Sequence, residues 1–529
     1  MAPMFIKRWL KGGLLGVMLL LFLGIGFKYL SVHPIPLDQR EAYLTASQPG
    51  IEIVPILSVG QSLANGYRMA GIPDGLGALD NGDGTLTLLM HHEIAPNRGK
   101  KRSHGARGAF ISRWIITLPG HPSGDWQVLS GEDAIHSLFL WDPATQRYQR
   151  SPNENLGRLC SADLPVPSSL YFARENLGTL ERLFLGGEEM DPPDDPRYGR
   201  AFATVLTGPQ AGKTFELPRM GQMAFENVVA SPFSQRKTVV VLLDDASGKT
   251  MDTLGEVYVY VGEKQREGAL LNRAGLTQGV LYGVAVENLP LEDPSHGLGA
   301  QIREARFSLA GLKDLSGDDG RRLFELTKAH NELGITKFFR PEDGAWHPQG
   351  PGLFYFVTTG AAFKISDDDE TIHKGPGRLW QIRFDDIEEP EQGGMIRLLL
   401  DGTEGIIRPD NLTVTPQGQI LIQEDPGLSR RLARIWQYDP QSGQLTDIAQ
   451  HNPRYFSPTG DSWITMDEES SGIIDISSIT GDNGFLAVTQ SHISLHRWFN
   501  IFNRRLFNLS LSTGKEIVED GQLMVILIE

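Results

Sequence analysis

Acidic side chains, one sulfur and one arginine recur in this sequence at the ends of short apolar runs. Cys160 is the only cysteine of the 529-residue chain, and it lies between Met90-His-His-Glu93 and Gly186-Gly-Glu-Glu189. Two further acidic motifs follow, Phe225-Glu-Asn227 and Arg340-Pro-Glu-Asp343. Thiolate is a soft ligand that suits a transition metal, whereas carboxylates and carbonyls suit Ca²⁺. The pattern is typical of a metal centre assembled from many loops, although a lone cysteine is also common as a small apolar core residue.

The acidic residues differ in how strongly their surroundings indicate metal binding. Glu226 stands in a stretch too apolar for a surface glutamate, and Glu342 either binds a metal or pairs with Arg340. Asp244 and Asp245 close an apolar strand. A buried carboxylate without a partner is unfavourable, so at least one of these two requires a cation or an arginine.

Other acidic residues stand where turn formation competes with metal binding. Glu93 follows a predicted strand, while Asp410 and Glu424 bracket a predicted hairpin, where turn chemistry and calcium binding are equal alternatives. Asp74 and Asp83 lie in Pro-Asp-Gly and Gly-Asp-Gly stretches, where Asp is first of all a turn former.

The N-terminus has the pattern of an export signal or a membrane anchor. Lys7, Arg8 and Lys11 precede residues 12–27, which carry no charge. Basic residues before an apolar run keep the N-terminus in the cytoplasm. Because residues 29–34 offer a poor cleavage site, we expect residues 1–35 to be an uncleaved anchor rather than a removed signal peptide. Residues 36–529 then form one domain on the periplasmic or extracellular face.

The charge of the chain limits its partners. The sequence contains 65 Asp and Glu against 49 Lys and Arg, which gives a net charge of −16. This charge argues against nucleic acid and anionic membrane surfaces as partners of the domain, and it is compatible with hard cations. One cysteine cannot form a disulfide within the chain, but a domain of this length buries a large core without one. We expect a monomer that meets the membrane only through its N-terminal segment.

Short alternating runs of β-branched and aromatic residues, ended by Gly, Asp, Asn or Pro, dominate the chain. The runs that we predict as strands are Thr85–Met90, Ser137–Trp141, Thr238–Leu243, Glu256–Val261, Leu353–Thr358, Arg378–Phe384, Gln419–Gln423 and Arg434–Tyr438. Strands of this length at frequent spacing indicate an all-β sandwich, barrel or propeller.

A weak internal repeat favours the propeller. An aromatic-rich strand that ends in Asp recurs at residues 138–143, 379–385 and 435–440, with a looser copy at 256–262. Such a motif is common in the outer part of a propeller blade, and the length of the chain supplies six blades with long insertions. A large sandwich or two β domains is the alternative.

The order and spacing of the motifs resemble those of the PhoX-type alkaline phosphatases, a family first catalogued as a domain of unknown function. The resemblance covers roughly residues 60–500. It is carried by Gly71-Ile-Pro-Asp-Gly-Leu-Gly77, Cys160, Gly187-Glu-Glu189, Phe225-Glu-Asn227, Asp244-Asp245, Ala274-Gly-Leu-Thr-Gln-Gly279, Phe339-Arg-Pro-Glu342, Thr358-Thr-Gly360, Pro409-Asp-Asn411 and Glu424-Asp425.

The resemblance implies a six-bladed propeller that hydrolyses phosphomonoesters with iron and calcium at its axial mouth. By matched motif, Cys160 would be the thiolate ligand of Fe³⁺. The carboxylates shared between Fe³⁺ and Ca²⁺ would be Glu188 or Glu189, Glu226 and Glu342.

Arg340 would be the catalytic residue that clamps the substrate phosphate, because a guanidinium donates two hydrogen bonds and stays charged at alkaline pH. The chain departs from the family after Cys160, where Ser161-Ala-Asp-Leu-Pro165 replaces a Gly-Gly-x-Thr-Pro-Trp-Gly-Thr stretch. It also carries Lys7-Arg8 in place of a twin-arginine signal. The sequence is therefore identified as a divergent member of the family.

Other catalytic motifs are missing from the sequence. It contains no Gly-x-Ser-x-Gly, Walker loop, His-Glu-x-x-His or Cys-x-x-Cys. Two alternatives to the phosphatase stay open. A calcium-dependent propeller lactonase or esterase would not need Cys160, and a non-enzymatic exported propeller would not need Arg340.

Overall fold

The computed structural model describes residues 40–120, 124–191, 195–246, 250–292, 303–312, 331–364, 372–429, 431–492 and 516–529. The anchor predicted for residues 1–35 lies outside these residues. No helix within the described ranges is long and apolar enough to cross a membrane.

The structure is built mainly from antiparallel strands, most of them in meanders of four. Near the start of the described chain lie β1 (Leu44–Ala46) and β2 (Ile51–Ser58). The first meander contains β3 (Pro73–Asp80), β4 (Thr85–His92), β5 (Phe110–Thr117) and β6 (Val128–Asp133), and it is followed by β7 (Ser137–Asp142) and β8 (Arg147–Arg150). The second contains β9 (Leu159–Asp163), β12 (Leu183–Glu188), β13 (Ala201–Val205) and β14 (Lys213–Glu216), with the hairpin β10 (Tyr171–Phe172) and β11 (Leu177–Gly178) inserted.

The remaining meanders follow the same plan. The third contains β15 (Phe225–Ala230), β16 (Lys237–Asp244), β17 (Gly255–Glu263) and β18 (Val280–Val286), and β19 (Glu304–Gly311) joins it to the fourth. The fourth contains β21 (Pro341–Trp346), β22 (Leu353–Thr358), β25 (Arg378–Phe384) and β26 (Gly394–Leu400). The fifth contains β27 (Pro409–Val414), β28 (Ile420–Glu424), β29 (Arg434–Asp439) and β30 (Gln444–His451), and the last contains β31 (Glu468–Asp475), β32 (Gly484–Ser491), β33 (Asp520–Ile528) and β2.

Short elements complete the described structure. The small strands are β20 (Lys337–Phe338), β23 (Ala361–Phe363) and β24 (His373–Gly375). The helices are α1 (Pro167–Leu170), α2 (Leu270–Arg273), α3 (Pro453–Phe456) and α4 (Ser477–Thr480), together with 3₁₀ turns at Pro218–Met220, Met251–Thr253 and Pro390–Gln392.

The first strands of the meanders form a ring. These inner strands are β3, β9, β15, β21, β27 and β31; each contacts the next, and β31 contacts β3. Pairing between β2 and β33, from opposite ends of the domain, completes the last meander. The arrangement is propeller-like, as the sequence predicts.

The core fills the spaces between successive meanders. Strand β16 shows how one sequence supplies two of these spaces: Val239 and Val241 pack in one apolar cluster, whereas Val240 and Leu242 pack in another. All four side chains are fully buried. A strand covered on both faces is apolar at consecutive positions rather than at alternate ones, which explains the run Val-Val-Val-Leu-Leu.

All the strands predicted from the sequence are present, with ends that differ by a few residues at most. The aromatic–Asp repeat marks the third strand of a meander in β17, β25 and β29. The copy in β7 is different, because β7 pairs in parallel with β14 at the outer edge of the second meander. The repeat therefore lies in strands outside the inner ring.

The closure of the ring predicts a specific cross-link. Glu52 and Leu527 are directly opposed in the β2–β33 pair, so their Cα atoms lie within the separation that a disulfide spans. The double variant Glu52→Cys/Leu527→Cys is expected to form an intramolecular disulfide under mild oxidation, detected by mass spectrometry of peptides.

The control combines Glu52→Cys with Ile528→Cys. Ile528 is one residue from Leu527 and faces the other side of the sheet, so this pair should remain reduced. Equal cross-linking of both variants, or of neither, would contradict the register of this closure.

Candidate metal centre

Every inner strand places a polar side chain at its second residue. These residues are Asp74, Cys160, Glu226, Glu342, Asp410 and Glu469. Because the inner strands contact one another in a ring, equivalent positions of successive strands come close together at one end of it. Residues far apart in the sequence thereby share one site.

Three inner strands begin with a common local sequence. Ile72, Arg340 and Arg408 each precede a proline that starts the strand, and the acidic residue follows that proline. All three have positive φ angles, of 52°, 60° and 46°. The left-handed region is unfavourable for residues other than glycine, and such strain concentrates at functional sites. A β-bulge follows in each strand and re-aims its first side chains.

The donor atoms form three overlapping groups, in each of which they lie within 4.8 Å of one another. The groups are Asp74 with Glu93 and Cys160, then Cys160 with Glu189 and Glu226, then Glu226 with Glu342 and Asp410. Cys160 and Glu226 each belong to two groups, so the seven residues form one continuous band. The structure thus brings Cys160, Glu226 and Glu342 close together, with Glu189 beside them.

Burial of so many acids in one place changes their protonation. Burial raises the pKa of Asp74, Glu226, Glu342 and Asp410 well above the usual range, and neighbouring carboxylates raise it further. Burial and then the nearby Glu189 likewise raise the pKa of the Cys160 thiol. Such a site is stable with negatively charged ligands only if cations are bound among them.

The donor set fits iron and calcium. It combines one thiol with carboxylates, the ligands that these two kinds of metal prefer. The Asp74 Oδ1 atom is buried and has no hydrogen-bond partner in the described structure, as expected for an oxygen kept for a cation.

Hydrogen bonds fix the orientation of several donors. Ser161 Oγ donates to Glu226 Oε1 over 2.6 Å, and Asn411 Nδ2 donates to Ser161 Oγ over 2.6 Å. Gln490 Nε2 lies 3.2 Å from both Asp74 Oδ2 and Glu93 Oε2. Outer contacts of this kind hold metal ligands in place.

Two arginines lie against this band of donors. Arg340 Nη2 is 2.6 Å from Asp245 Oδ2 and 3.1 Å from Glu342 Oε1, and its side chain is 30% exposed. Arg158 Nη1 is 3.0 Å from Glu93 Oε1, and its Nη2 is 2.5 Å from Glu189 Oε1. Both arginine side chains therefore contact carboxylates of the donor groups and remain partly exposed.

Asp245 belongs to the arginine network rather than to the donor groups found in the described structure. Arg340 is its ion-pair partner, and an arginine partner for Asp244 or Asp245 is one of the two alternatives expected from the sequence. Burial raises its pKa to about 6, against the opposing effect of Arg340.

Besides Asp245, three acidic residues predicted as ligands lie outside the donor groups. Glu188 is fully buried, and its two oxygens each lie 2.8 Å from an Arg200 nitrogen. This ion pair occupies the carboxylate, so of the two neighbouring glutamates it is Glu189 that reaches the site.

Asp244 and Glu424 also have other partners. Asp244 Oδ1 accepts from the Ala224 amide over 3.1 Å. Glu424 Oε1 lies 2.6 Å from Arg431 Nη2 and accepts from Trp436 Nε1 over 2.9 Å. Each of these two carboxylates therefore has a neighbouring hydrogen-bond donor, which accounts for its burial without a metal.

Sequence reasoning missed part of the site. It treated Asp74 as a turn former and did not single out Glu469, whose Oε2 lies 3.0 Å from His492 Nε2. It also overlooked Arg158. The repeated sequence Pro-Asp or Pro-Glu at Asp74, Glu342 and Asp410 was the signal that could have found the ring positions.

Comparisons with known proteins agree with this geometry. Residues 209–463 match the family model described as alkaline phosphatase PhoX. A comparison with curated protein sequences gives no match. The structure of Pseudomonas fluorescens PhoX in complex with vanadate, a transition state analogue, is 16% identical and covers 94% of this chain and 97% of its own, with a TM-score of 0.64.

Two other solved structures are more distant. A gluconolactonase from Xanthomonas campestris is 8% identical, with a TM-score of 0.31 over 92% of this chain and 100% of its own. A sialidase from Trypanosoma rangeli is 10% identical, with a TM-score of 0.34 over 91% of this chain and 59% of its own. These scores are too low to support an argument. The match over residues 209–463, in a chain that shares the fold of the Pseudomonas fluorescens protein, confirms the resemblance of this protein to the PhoX alkaline phosphatases.

Proposed function

We propose that the protein is an exported, metal-dependent phosphomonoesterase with iron and calcium at the mouth of a six-bladed propeller. The observation that carries the proposal is the continuous band of donors, in which the only cysteine belongs to two of the three groups. The match to the alkaline phosphatase PhoX family model supports the reaction class.

The chemical types of the donor atoms indicate which cation each group would hold. Iron would be held by Cys160 with Glu189 and Glu226, the group that joins the thiol to two carboxylates. Calcium would be held by the all-carboxylate group of Glu226, Glu342 and Asp410. Bound there, the cations would neutralise the phosphate and stabilise charge in the transition state.

Arg340 binds the phosphate in this proposal. Asp245 and Glu342 hold one side of its guanidinium, which restricts its motion, and the exposed part of the side chain is available to an incoming anion. A guanidinium offers five N–H groups, so these contacts leave donors for phosphate oxygens.

The N-terminal sequence supports export, with residues 1–35 as an uncleaved anchor and the enzyme on the periplasmic or extracellular face. The basic residues before the apolar run favour this orientation. A reporter active only outside the cytoplasm, fused after residue 40, should therefore be active. Activity restricted to a cytoplasmic reporter at the same position would contradict export.

Replacing the cysteine tests the metal centre. Cys160→Ser is expected to remove iron and to lower kcat for 4-nitrophenyl phosphate by roughly 100-fold or more, beyond the loss typical when only an outer contact is changed. Metal content would be measured by mass spectrometry of protein purified from the exported fraction.

Asp83→Asn is the control for this variant. Asp83 is exposed and accepts hydrogen bonds from Thr85 within a turn, so the change should leave both metal content and activity intact. A calcium-only lactonase or esterase predicts the opposite result for Cys160→Ser, namely normal metal content and activity.

Replacing Arg340 tests the phosphate clamp. Arg340→Lys preserves a positive charge beside Asp245 and Glu342 but removes the forked donor. The variant is expected to keep its metals and to bind inorganic phosphate about 10- to 100-fold more weakly, the range for losing hydrogen bonds to a charged group. Unchanged phosphate affinity would remove Arg340 from the substrate site.

A further inference from the structure

Arg158 is built into the site in an unusual way. Its guanidinium contacts Glu93 and Glu189, and its Nε donates to the Glu189 carbonyl oxygen over 3.3 Å. The Glu189 amide in turn donates to the Arg158 carbonyl oxygen over 2.8 Å. The side chain is nevertheless 40% exposed, so it is held in place without being enclosed.

Arg158 and Arg340 occupy equivalent positions in the fold. Each immediately precedes an inner strand, β9 for Arg158 and β21 for Arg340. Each pairs with the acidic residue that immediately follows a second strand of the preceding meander, Glu93 after β4 and Asp245 after β16. The same part of the repeating unit therefore presents a guanidinium twice at the mouth.

A short path through the backbone connects the two arginines. Glu189 forms a β-bridge with Ala224, and the Asp245 amide donates to the Ala224 carbonyl oxygen over 2.8 Å. Glu189 pairs with Arg158, and Asp245 pairs with Arg340. The carboxylates that hold the two guanidinium groups thus belong to Glu189 and Asp245, whose backbones both pair with Ala224 at the edge of the donor groups.

The contacts of Arg158 leave it able to bind an anion. Its guanidinium has five N–H groups, and the bonds to Glu93 and Glu189 use only part of them. Arginine is suited to phosphate because its planar fork matches two oxygens at once.

We propose that Arg158 is a second phosphate-binding residue, which acts with Arg340 on the terminal oxygens of one dianionic phosphomonoester. This inference rests on the proposed function and names a residue for which neither the family motif nor the sequence analysis supplied a role. Two guanidinium groups favour a monoester over a diester, because a diester has one negative charge and fewer terminal oxygens to offer.

The alternative is that Arg158 only neutralises Glu93 and Glu189. In that case its replacement would change metal content or stability but not the affinity of the metal-loaded protein for phosphate. Arg158→Lys separates the two roles, because lysine keeps the positive charge and loses the fork.

Arg113 provides a matched control. Its side chain is also 40% exposed and also pairs with a glutamate, Glu132, at 3.4 Å. It lies on β5, the third strand of its meander, away from the inner ring.

The first experiment measures binding of inorganic phosphate to the purified, metal-loaded protein by titration calorimetry. Arg158→Lys is expected to retain its metals and to weaken phosphate binding roughly 10-fold or more, whereas Arg113→Lys should bind like the wild type. Phosphate affinity of Arg158→Lys within about two-fold of the wild type would overturn the inference.

The second experiment uses the unaltered protein and so remains decisive if Arg158→Lys loses metal. Phenylglyoxal modifies accessible arginines, and peptides carrying Arg158 and Arg113 are quantified by mass spectrometry. Inorganic phosphate should slow modification of Arg158 and leave Arg113 unaffected. Equal modification of Arg158 with and without phosphate would show that it does not contact the anion.

Failure of this inference can be told apart from failure of the proposed function. A wild-type protein that neither binds inorganic phosphate nor hydrolyses 4-nitrophenyl phosphate contradicts both. A wild-type protein that does both, with Arg158 unprotected by phosphate, contradicts only the role of Arg158.

Discussion

Several acidic groups are buried close together at one end of the ring, and their loss of hydration, followed by their mutual repulsion, is the main electrostatic constraint on this protein. Asp74, Glu226, Glu342 and Asp410 lie within a continuous band of possible ligands, and their pKa values are raised chiefly by burial. In most folds such a concentration would be strongly destabilising. Cations bound among the carboxylates would convert the same arrangement into a stabilising one, and metal binding would then be linked to the stability of this end of the ring.

The rest of the architecture serves to hold these groups in place. Each meander packs its apolar faces against its neighbours, so the inner strands cannot move apart without opening a core. The pairing of β2 with β33 closes the circle. Arginines at the rim, Arg158 and Arg340, then hold carboxylates of adjacent meanders together while remaining partly exposed.

The fold class could be predicted from the sequence because the patterns that indicate strands are local. Strand patterns such as Leu353–Thr358 depend on residues that are neighbours in the chain, and the structure has this strand with the same bounds. The convergence of Cys160 with Glu226 and Glu342 could be expected from the family resemblance and from the geometry of a ring.

The roles of individual site residues could not be predicted from the sequence, because they depend on contacts with residues that are distant in the chain. Glu188 and Glu189 are adjacent, yet only the folded chain places Arg200 beside the first and Cys160 beside the second. The local sequence around Asp74 indicates a turn, and only the position of β3 in the ring brings its side chain close to Glu93 and Cys160. Arg158 has no distinguishing local sequence, and its importance follows only from the positions of Glu93 and Glu189.

Crystallography with X-rays tuned to the iron absorption edge tests the central claim most directly. The protein would be purified from the exported fraction and crystallised without added iron. The account predicts an anomalous peak bonded to Cys160 Sγ and flanked by carboxylate oxygens of Glu189 and Glu226. Crystals with no iron signal at this position, or with iron bound elsewhere and Cys160 still paired with Glu189, would contradict it.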